Sequence, residues 1–464
     1  MIKQETGKYI LSKNEKRTVI FMILPALAEA LLSQTFSLVD SAMLGHASDA
    51  ATAIAAVGIC TPLSGFLLNV MNAFCVGTTA TVAWFLGSKN PKDARTTARQ
   101  TLAVTAGLGL IIAILCFFGS NAIIDFMGSE NETVAQGAKD YFSIISVGFF
   151  FHFMTSNIGA SLRGVKITKY TMYYNLIANA VNVGMNYVLI FGKLGFEPMG
   201  LKGAAIATTA SQILAFLLAF ATITVKKSDV QISFRESFLP TKRILNRVFK
   251  IGTTAALEQV VLQGGNVLFT KVITNIETIQ FSAFSVASRI SGFIWNIGGA
   301  CSVASTTYMG IHMGEGRADK CRGYTNYITK TSLSWMFVLT GVLICFSSFL
   351  AHAFTDDSAV AEQAAALLPL ATCCGFPVSI HQPISGALRG AGDTRSPLIA
   401  SFGSLWVFRV FLGWILVGLC GLNIFYAQIA VAADQTARMA INLWRYKKGY
   451  WAKRLQPIPT EKNS

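Results

Sequence analysis

Long apolar segments recur along the whole chain, and this feature restricts the possible folds more than any other. Each segment is long enough to cross the roughly 30 Å hydrocarbon layer of a bilayer, which takes about 20 apolar residues in a helix. Of the 464 residues, 53% are hydrophobic and only 13% are charged, too few to cover the surface of a soluble protein of this size. The sequence therefore predicts an integral membrane protein.

Twelve membrane spans are predicted, and the fold class is all-α because lipid cannot satisfy the backbone polar groups of an open sheet or loop. The predicted spans cover 18–43, 53–80, 96–120, 136–162, 169–192, 202–225, 246–271, 279–308, 324–350, 360–387, 397–418 and 423–445.

An internal repeat divides these spans into two halves. A set of residues in the first half recurs 227 positions later, namely Gly65, Phe66, Asn69 and Gly87 as Gly292, Phe293, Asn296 and Gly314. Leu162-Arg163-Gly164 likewise recurs 226 positions later as Leu388-Arg389-Gly390. Six spans per half give both halves the same orientation, so the repeats are parallel.

The repeat predicts two six-helix bundles related by a pseudo-two-fold axis along the membrane normal. We expect an N-terminal bundle over 1–225, a cytoplasmic linker over 226–245, and a C-terminal bundle with a cytoplasmic tail over 246–464. The substrate site is expected between the two bundles.

Basic residues set the predicted orientation. About thirty of the 38 Lys and Arg residues fall on one side of the predicted spans, which is typical of cytoplasmic loops. Both termini are therefore expected in the cytoplasm, with the chain in the cytoplasmic (inner) membrane. The net charge of +15 belongs to these loops, and no base-stacking motif or basic helix indicates a nucleic-acid partner.

The cysteines and histidines do not indicate an enzyme. The nine cysteines show no metal-ligand spacing, and the five histidines lie far apart in sequence. No nucleophile with a matching base is apparent. We expect no enzymatic activity and no organic cofactor.

Span 1 carries two carboxylates and two hydroxyls on one face. Glu29 and Asp40 are separated by roughly 20° around the helix, and Ser33 and Ser37 lie near the same stripe. Such a face should point at a polar cavity rather than lipid. Asp40 could bind a proton, or a sodium ion together with neighbouring oxygens. The alternatives are a water-exposed carboxylate at Asp40 and a structural, hydrogen-bonded or arginine-paired acid at Glu29.

Span 5 carries four asparagines on one stripe: Asn175, Asn179, Asn182 and Asn186. They predict either a polar cavity wall that holds Asp40 or hydrogen-bonded contacts between helices.

Four further charges lie within the predicted spans: Glu258, Arg289, Arg409 and Asp434. Glu258 is expected to mirror Glu29, since both lie in the first span of their half. Asp434 is expected to pair with Arg409 or Arg289, which would make that group structural.

The chain resembles the multidrug and toxic compound extrusion family over nearly its whole length. The residues that carry the resemblance are Pro25, Val39-Asp40-Ser41, Gly45, Gly87-Ser88-Lys89-Asn90, Asn182, Asn186, Phe191-Gly192, Gly203-Ala204-Ala205-Ile206-Ala207-Thr208 and Leu388-Arg389-Gly390-Ala391-Gly392-Asp393-Thr394.

The resemblance implies cation-coupled export through alternating access by two six-helix bundles. It matches Asp40 to the family's coupling aspartate and Asn182 to an amide of the fifth-helix network. Asn186 stands where that network usually has an aspartate, and Thr208 matches a hydroxyl of helix 6. In one branch of the family, acids in helices 7 and 10 also bind the cation. Glu258 lies about one turn before the helix 7 position, and Val378 stands at the helix 10 position.

The predicted function is a secondary antiporter that exports cationic or amphipathic organic compounds in exchange for H⁺ or Na⁺. Asp40, Asn182, Asn186 and Thr208 are the predicted coupling residues. Glu29, Ser33, Ser37, Asn175, Asn179 and Glu258 are predicted to line the substrate cavity or a secondary coupling site. A monomer surrounded by membrane lipid is expected. The alternative is a flippase for lipid-linked oligosaccharides, against which the buried acids argue because such a protein needs a cationic cavity for pyrophosphate.

Overall fold

The computed structural model of the chain describes residues 9–47, 50–128, 131–226, 228–232, 241–274, 276–355 and 357–455. Its helices are α1 (Lys13–Gly45), α2 (Ala50–Gly87), α3 (Pro91–Met127), α4 (Glu132–Gly164), α5 (Lys169–Phe191), α6 (Gly200–Val225), α7 (Lys242–Ile273), α8 (Thr278–Gly314), α9 (Ala318–Cys345), α10 (Ser347–Phe354), α11 (Ser358–Cys373), α12 (Gly375–Gly390), α13 (Arg395–Ser404) and α14 (Ile424–Lys447). π-Helical turns over Leu405–Phe411 and Trp414–Leu419 continue α13, and a short 3₁₀ helix, Tyr450–Arg454, follows α14.

The helices reproduce the predicted membrane spans. Within the described residues, eight helical segments are long and apolar enough to cross a bilayer: α1 to α4, α6, α9, α11 with α12, and α13 with its π-helical continuation. The helices α5, α7, α8 and α14 are also long enough, but they carry more polar side chains. These twelve segments coincide with the twelve predictions, which confirms the all-α membrane class.

Local sequence signals set several helix boundaries. Pro91 occupies the first turn of α3, and the side chain of Asn90 caps that helix by accepting from the Asp93 N–H at 3.1 Å. Asn131 caps α4 in the same way through Thr133. α5 ends at Gly192, which has a φ of +65°. A side chain at Gly192 would also lie 2.6 Å from Pro198, so this turn requires glycine.

Two predicted spans are less regular than the sequence suggests. The span predicted over 360–387 consists of α11 and α12, which are separated at Cys374. The span predicted over 397–418 turns from α-helix to π-helix after Ser404. π-Helical turns widen a helix locally and are frequent at functional sites.

The chain forms two compact units. The unit we call the C-terminal unit contains the described residues up to Leu27, Ala83–Lys89 and those from Thr253 onward. The other, called the N-terminal unit, contains Ala28–Val82 and Asn90–Gly252. The helices α1, α2 and α7 therefore contribute to both units. The division into halves at 226–245 stays a prediction, and 227 and 233–240 of that linker lie outside the described residues.

Matched glycines of the repeat form a close helix crossing inside the C-terminal unit. A side-chain carbon on Gly87 of α2 would lie 1.8 Å from the Ile311 carbonyl oxygen of α8. One on Gly314 would lie 2.2 Å from the Trp84 carbonyl oxygen. Because Ile311 follows Trp84 at the same 227-residue distance as Gly314 follows Gly87, the contact is reciprocal. The internal repeat is thus visible in the packing as well as in the sequence.

Each unit has its own apolar packing. The largest buried cluster of the C-terminal unit includes Phe269, Ile294, Met336 and Leu367, which lie on α7, α8, α9 and α11. In the N-terminal unit, Phe142 and Phe149 of α4 are fully buried and contact each other edge to face. These clusters support the polar residues described next.

Candidate functional site

Three hydrogen bonds join α1 and α5 along a single line in the N-terminal unit. Asn175 donates to Glu29 at 2.7 Å, Asn179 donates to Ser33 at 3.3 Å, and Asn186 donates to Asp40 at 2.8 Å. All three pairs are separated by 146 residues. A constant separation means that the two helices run parallel and in register, since each residue advances both by 1.5 Å. We call this line the α1–α5 column.

Glu29 lies at the first end of the column. Its carboxylate accepts from the Thr171 hydroxyl at 3.0 Å as well as from Asn175. The side chain is half-buried, and both of its oxygens bind neutral donors. Thr171 was not predicted from sequence, although it lies one turn before Asn175 on the same stripe.

Asp40 lies at the other end of the column. Asn186 binds Asp40 through its Nδ2 atom, which also approaches the Asn182 side-chain oxygen at 3.3 Å. Both asparagines are buried, and the Oδ1 atom of Asn186 accepts no hydrogen bond from a described residue. An unpaired buried acceptor beside a carboxylate is the donor set that a hard cation prefers. Asp40, Asn182 and Asn186 therefore fit a sodium ion, and Asp40 alone fits a proton.

An apolar cluster lies beside this end of α1. Leu44 packs with Ala53, Ile190 and Ala204, and the ring of Tyr141 lies against the same cluster. Shielding from water strengthens the electrostatic interaction between Asp40 and any bound cation. Tyr141 was not predicted from sequence, because a single tyrosine in an apolar helix carries no pattern.

The other predicted residues of this unit are less closely involved. Ser33 and Ser37 are exposed, and Ser37 contributes its carbonyl oxygen to the Ser41 hydroxyl. Thr208 is half-buried on α6, where its carbonyl oxygen accepts from Ser211. Within the described part of the chain, Thr208 is hydrogen-bonded to neither Asp40 nor Asn186. Its coupling role stays a prediction.

Glu258 of the C-terminal unit is an ion-paired acid. Arg389 donates to its Oε2 atom at 2.8 Å, and the Ser401 hydroxyl donates to its Oε1 atom at 2.8 Å. Glu258 is buried, so the paired arginine stabilises a charge that would otherwise be costly. The sequence placed Arg389 at the cytoplasmic end of a span and did not predict this pair.

Asp434 lies between two arginines. Arg409 binds its Oδ2 atom and Arg438 binds its Oδ1 atom, each at 2.8 Å. The predicted pairing with Arg409 is confirmed, whereas Arg289 is exposed. Arg438 was missed, although its position four residues after Asp434 in one helix is typical of an ion pair.

A second column joins α7 to α13 and its continuation. Glu258 binds Ser401, and Arg409 donates to Asn266 at 2.8 Å. Both pairs are separated by 143 residues, so these helices are also parallel and in register. We call this line the α7–α13 column.

Helical spans that enclose buried polar columns are the architecture of a membrane transporter. The family model MatE matches residues 25–188 and 255–415, more than half of the chain. The chain therefore belongs to the MatE family, whose members are transporters and not enzymes. This finding confirms the family resemblance seen in the sequence.

Individual relatives match nearly the full length of the chain. A "Probable multidrug resistance protein NorM" from Thermotoga maritima is 27% identical over 441 residues, covering 95% of this chain and 94% of that protein. An "Uncharacterized transporter YisQ" from Bacillus subtilis is 25% identical and covers 92% of this chain and 93% of that protein.

Solved structures share the fold. A MOP superfamily transporter from Pyrococcus furiosus has a TM-score of 0.88 and 20% identity, covering 94% of this chain and 96% of that chain. A multidrug resistance MATE family transporter in an outward-facing conformation has a TM-score of 0.87 and 20% identity, covering 94% and 97%.

Proposed function

We propose that this protein is a secondary multidrug exporter that exchanges cationic or amphipathic organic compounds for H⁺ or Na⁺ at Asp40. Family membership and the relative named as a probable multidrug resistance protein support the export of drugs. The observation that carries the assignment of the site is the Asp40–Asn186 contact, with its unpaired asparagine oxygen.

Coupling follows from competition for one charge. A proton or sodium ion that binds Asp40 neutralises the carboxylate and weakens its attraction for a cationic drug. When the ion leaves, the restored charge favours drug binding again. Because the two ligands exclude each other, the downhill flow of one drives the uphill movement of the other.

Proton and sodium coupling use the same residues differently. Asn186 donates to Oδ1 of Asp40, which leaves Oδ2 for a proton. Sodium would instead take the Asp40 carboxylate with the Asn182 and Asn186 oxygens. The two forms of coupling therefore depend to different extents on the asparagines.

The remaining residues of the column have a supporting role in this proposal. Glu29, Asn175, Asn179 and Ser33 continue the polar line from Asp40 along α1 and α5. They supply acceptors along which a cation can move or a drug can bind. Glu258 is assigned to a secondary polar region whose charge Arg389 offsets.

Transport in sealed proteoliposomes tests the proposal. Efflux of ethidium would be followed under an imposed pH gradient and then under a sodium gradient. We expect one gradient to drive the wild-type protein, and Asp40→Asn to abolish the driven component. Asp125→Asn is the control, because Asp125 forms an exposed ion pair with Lys139 and such pairs contribute little. A variant at Asp40 that transports normally would remove the central residue of the proposal.

The same preparation addresses the alternative of a flippase. If neither gradient moves ethidium or other organic cations, a fluorescent lipid-linked sugar would be assayed for transfer between leaflets. Transfer there without cation export would favour the flippase.

The proposed location is the cytoplasmic membrane with both termini in the cytoplasm. The distribution of basic residues supports this orientation. Protease access to tags at either terminus, in inside-out and right-side-out vesicles, tests it. We expect cleavage of both tags only in inside-out vesicles.

A further inference from the structure

The charges around Asp434 do not balance. Its side chain is 0% exposed, and the side chains of its two arginine partners, Arg409 and Arg438, are only 11% and 7% exposed. One carboxylate therefore faces two guanidinium groups, which leaves one excess positive charge in the C-terminal unit. Excess charge within a membrane domain is costly and is usually matched by a partner.

The carboxylate of Asp434 has little capacity left. Its Oδ1 atom accepts from Arg438, and its Oδ2 atom accepts from both Arg409 and Gln435. Gln435 is held in turn by His381 at 3.0 Å. The other buried acid of this unit, Glu258, is engaged by Arg389 and Ser401.

Arg409 has an unused donor. Its Nη1 atom donates to Asn266 and its Nη2 atom contacts Asp434, but the buried Nε atom donates to no described residue. A guanidinium group presents its N–H donors as a planar fork that matches a carboxylate. Arg438 is more fully engaged, because its Nε atom approaches the Ser404 hydroxyl at 3.3 Å.

We propose that Arg409 forms a binding site for a singly charged anion in the C-terminal unit. One excess charge requires one negative charge, and the free Nε edge favours a planar carboxylate over a sphere. The anion comes either from the carboxylate group of an organic solute or from halide in solution. The partial exposure of Arg409 lets a small anion reach the guanidinium group.

Thermal unfolding of the purified full-length chain in detergent tests this site without any transport step. The salt would be sodium benzoate, sodium chloride or, as the reference, sodium methanesulfonate at equal concentration. We expect benzoate to raise the Tm by about 2 °C or more over the reference, since a ligand that binds only the folded state stabilises it. A larger effect of chloride than of benzoate would assign the site to halide.

Two substitutions should change the anion response in opposite directions. Arg409→Gln leaves Asp434 and Arg438 as a balanced pair, so the Tm should no longer respond to benzoate. Asp434→Asn leaves two unmatched arginines, so the response should increase. Arg289→Gln removes an exposed arginine of α8 and should leave the response unchanged.

A third substitution keeps the test decisive if Arg409→Gln does not fold. Arg409→Lys retains the charge but removes the planar fork, so a chloride response should persist while the preference for benzoate is lost. The proposal is wrong if the wild-type Tm is the same in all three salts, or if Arg409→Gln retains the full response. Either result would leave the proposed export function untouched, because the assay measures binding alone.

Discussion

The α1–α5 and α7–α13 columns occupy corresponding places in the two halves of the repeat but differ in their chemistry. Glu258 follows Glu29 by 229 residues, and Ser401 follows Asn175 by 226. Both acids therefore bind the matched position of the partner helix. Glu29 is held by neutral donors, whereas Glu258 is neutralised by Arg389.

The difference is larger at the other end of the columns. Applying the same spacings, Asp40 corresponds to Phe269 and Asn186 corresponds to Leu412. Phe269 is buried in the core and lies so close to Gly413 that a side-chain carbon there would be 2.8 Å away. An aromatic ring thus replaces the predicted cation site of the first half. Duplication kept the positions of the helices, while the two halves acquired opposite charge.

Loss of Arg389 should have the largest effect on stability. Arg389→Met leaves the Glu258 carboxylate buried without its cation, and breaking one partner of a buried ion pair costs about 3–5 kcal/mol. The change in unfolding free energy can be measured by denaturant titration in detergent. Glu29→Gln is the matched comparison and should cost much less, because Glu29 has only neutral partners. Equal losses would mean that the two acids are supported in the same way.

Substitution of the matched glycines should have an intermediate effect. Gly87→Ala and Gly314→Ala each place a methyl group against a backbone oxygen of the opposing helix, and overpacking of this kind costs about 1–3 kcal/mol. Because the crossing is reciprocal, the two losses in unfolding free energy should be similar. Gly58→Ala is the control, since no atom lies within 4 Å of the added carbon. A loss at only one of the two glycines would show that the crossing is not energetically symmetric.

Replacement of Asn186 should change ion binding more than stability. Asn186→Leu introduces the residue found at the matched position of the other half and removes a hydrogen bond to a charged group, which contributes about 1.5–3 kcal/mol. We expect the concentration of coupling ion required for half-maximal ethidium efflux to change by about tenfold or more. Val183→Leu, on the same helix, is the control. An unchanged ion requirement would separate Asn186 from coupling.

The sequence by itself determined the class of fold and the polar faces. Twelve apolar segments required helices, because only a helix satisfies its own backbone in lipid. The 3.6-residue period of the helix placed Glu29 and Asp40 on one face of α1 and aligned the four asparagines of α5. The spacing of 227 residues revealed the repeat, because duplicated helices retain the residues that must pack closely.

The tertiary structure alone decided which polar groups meet. Residue spacing along one helix says nothing about its neighbour, so the pairs Asp40–Asn186, Glu258–Arg389 and Arg409–Asn266 depend on how the helices pack. The break at Cys374 and the π-helical turns after Ser404 also escaped prediction. Continuous apolar sequence is compatible with either straight or interrupted helices, and the choice depends on neighbouring helices rather than on local propensity.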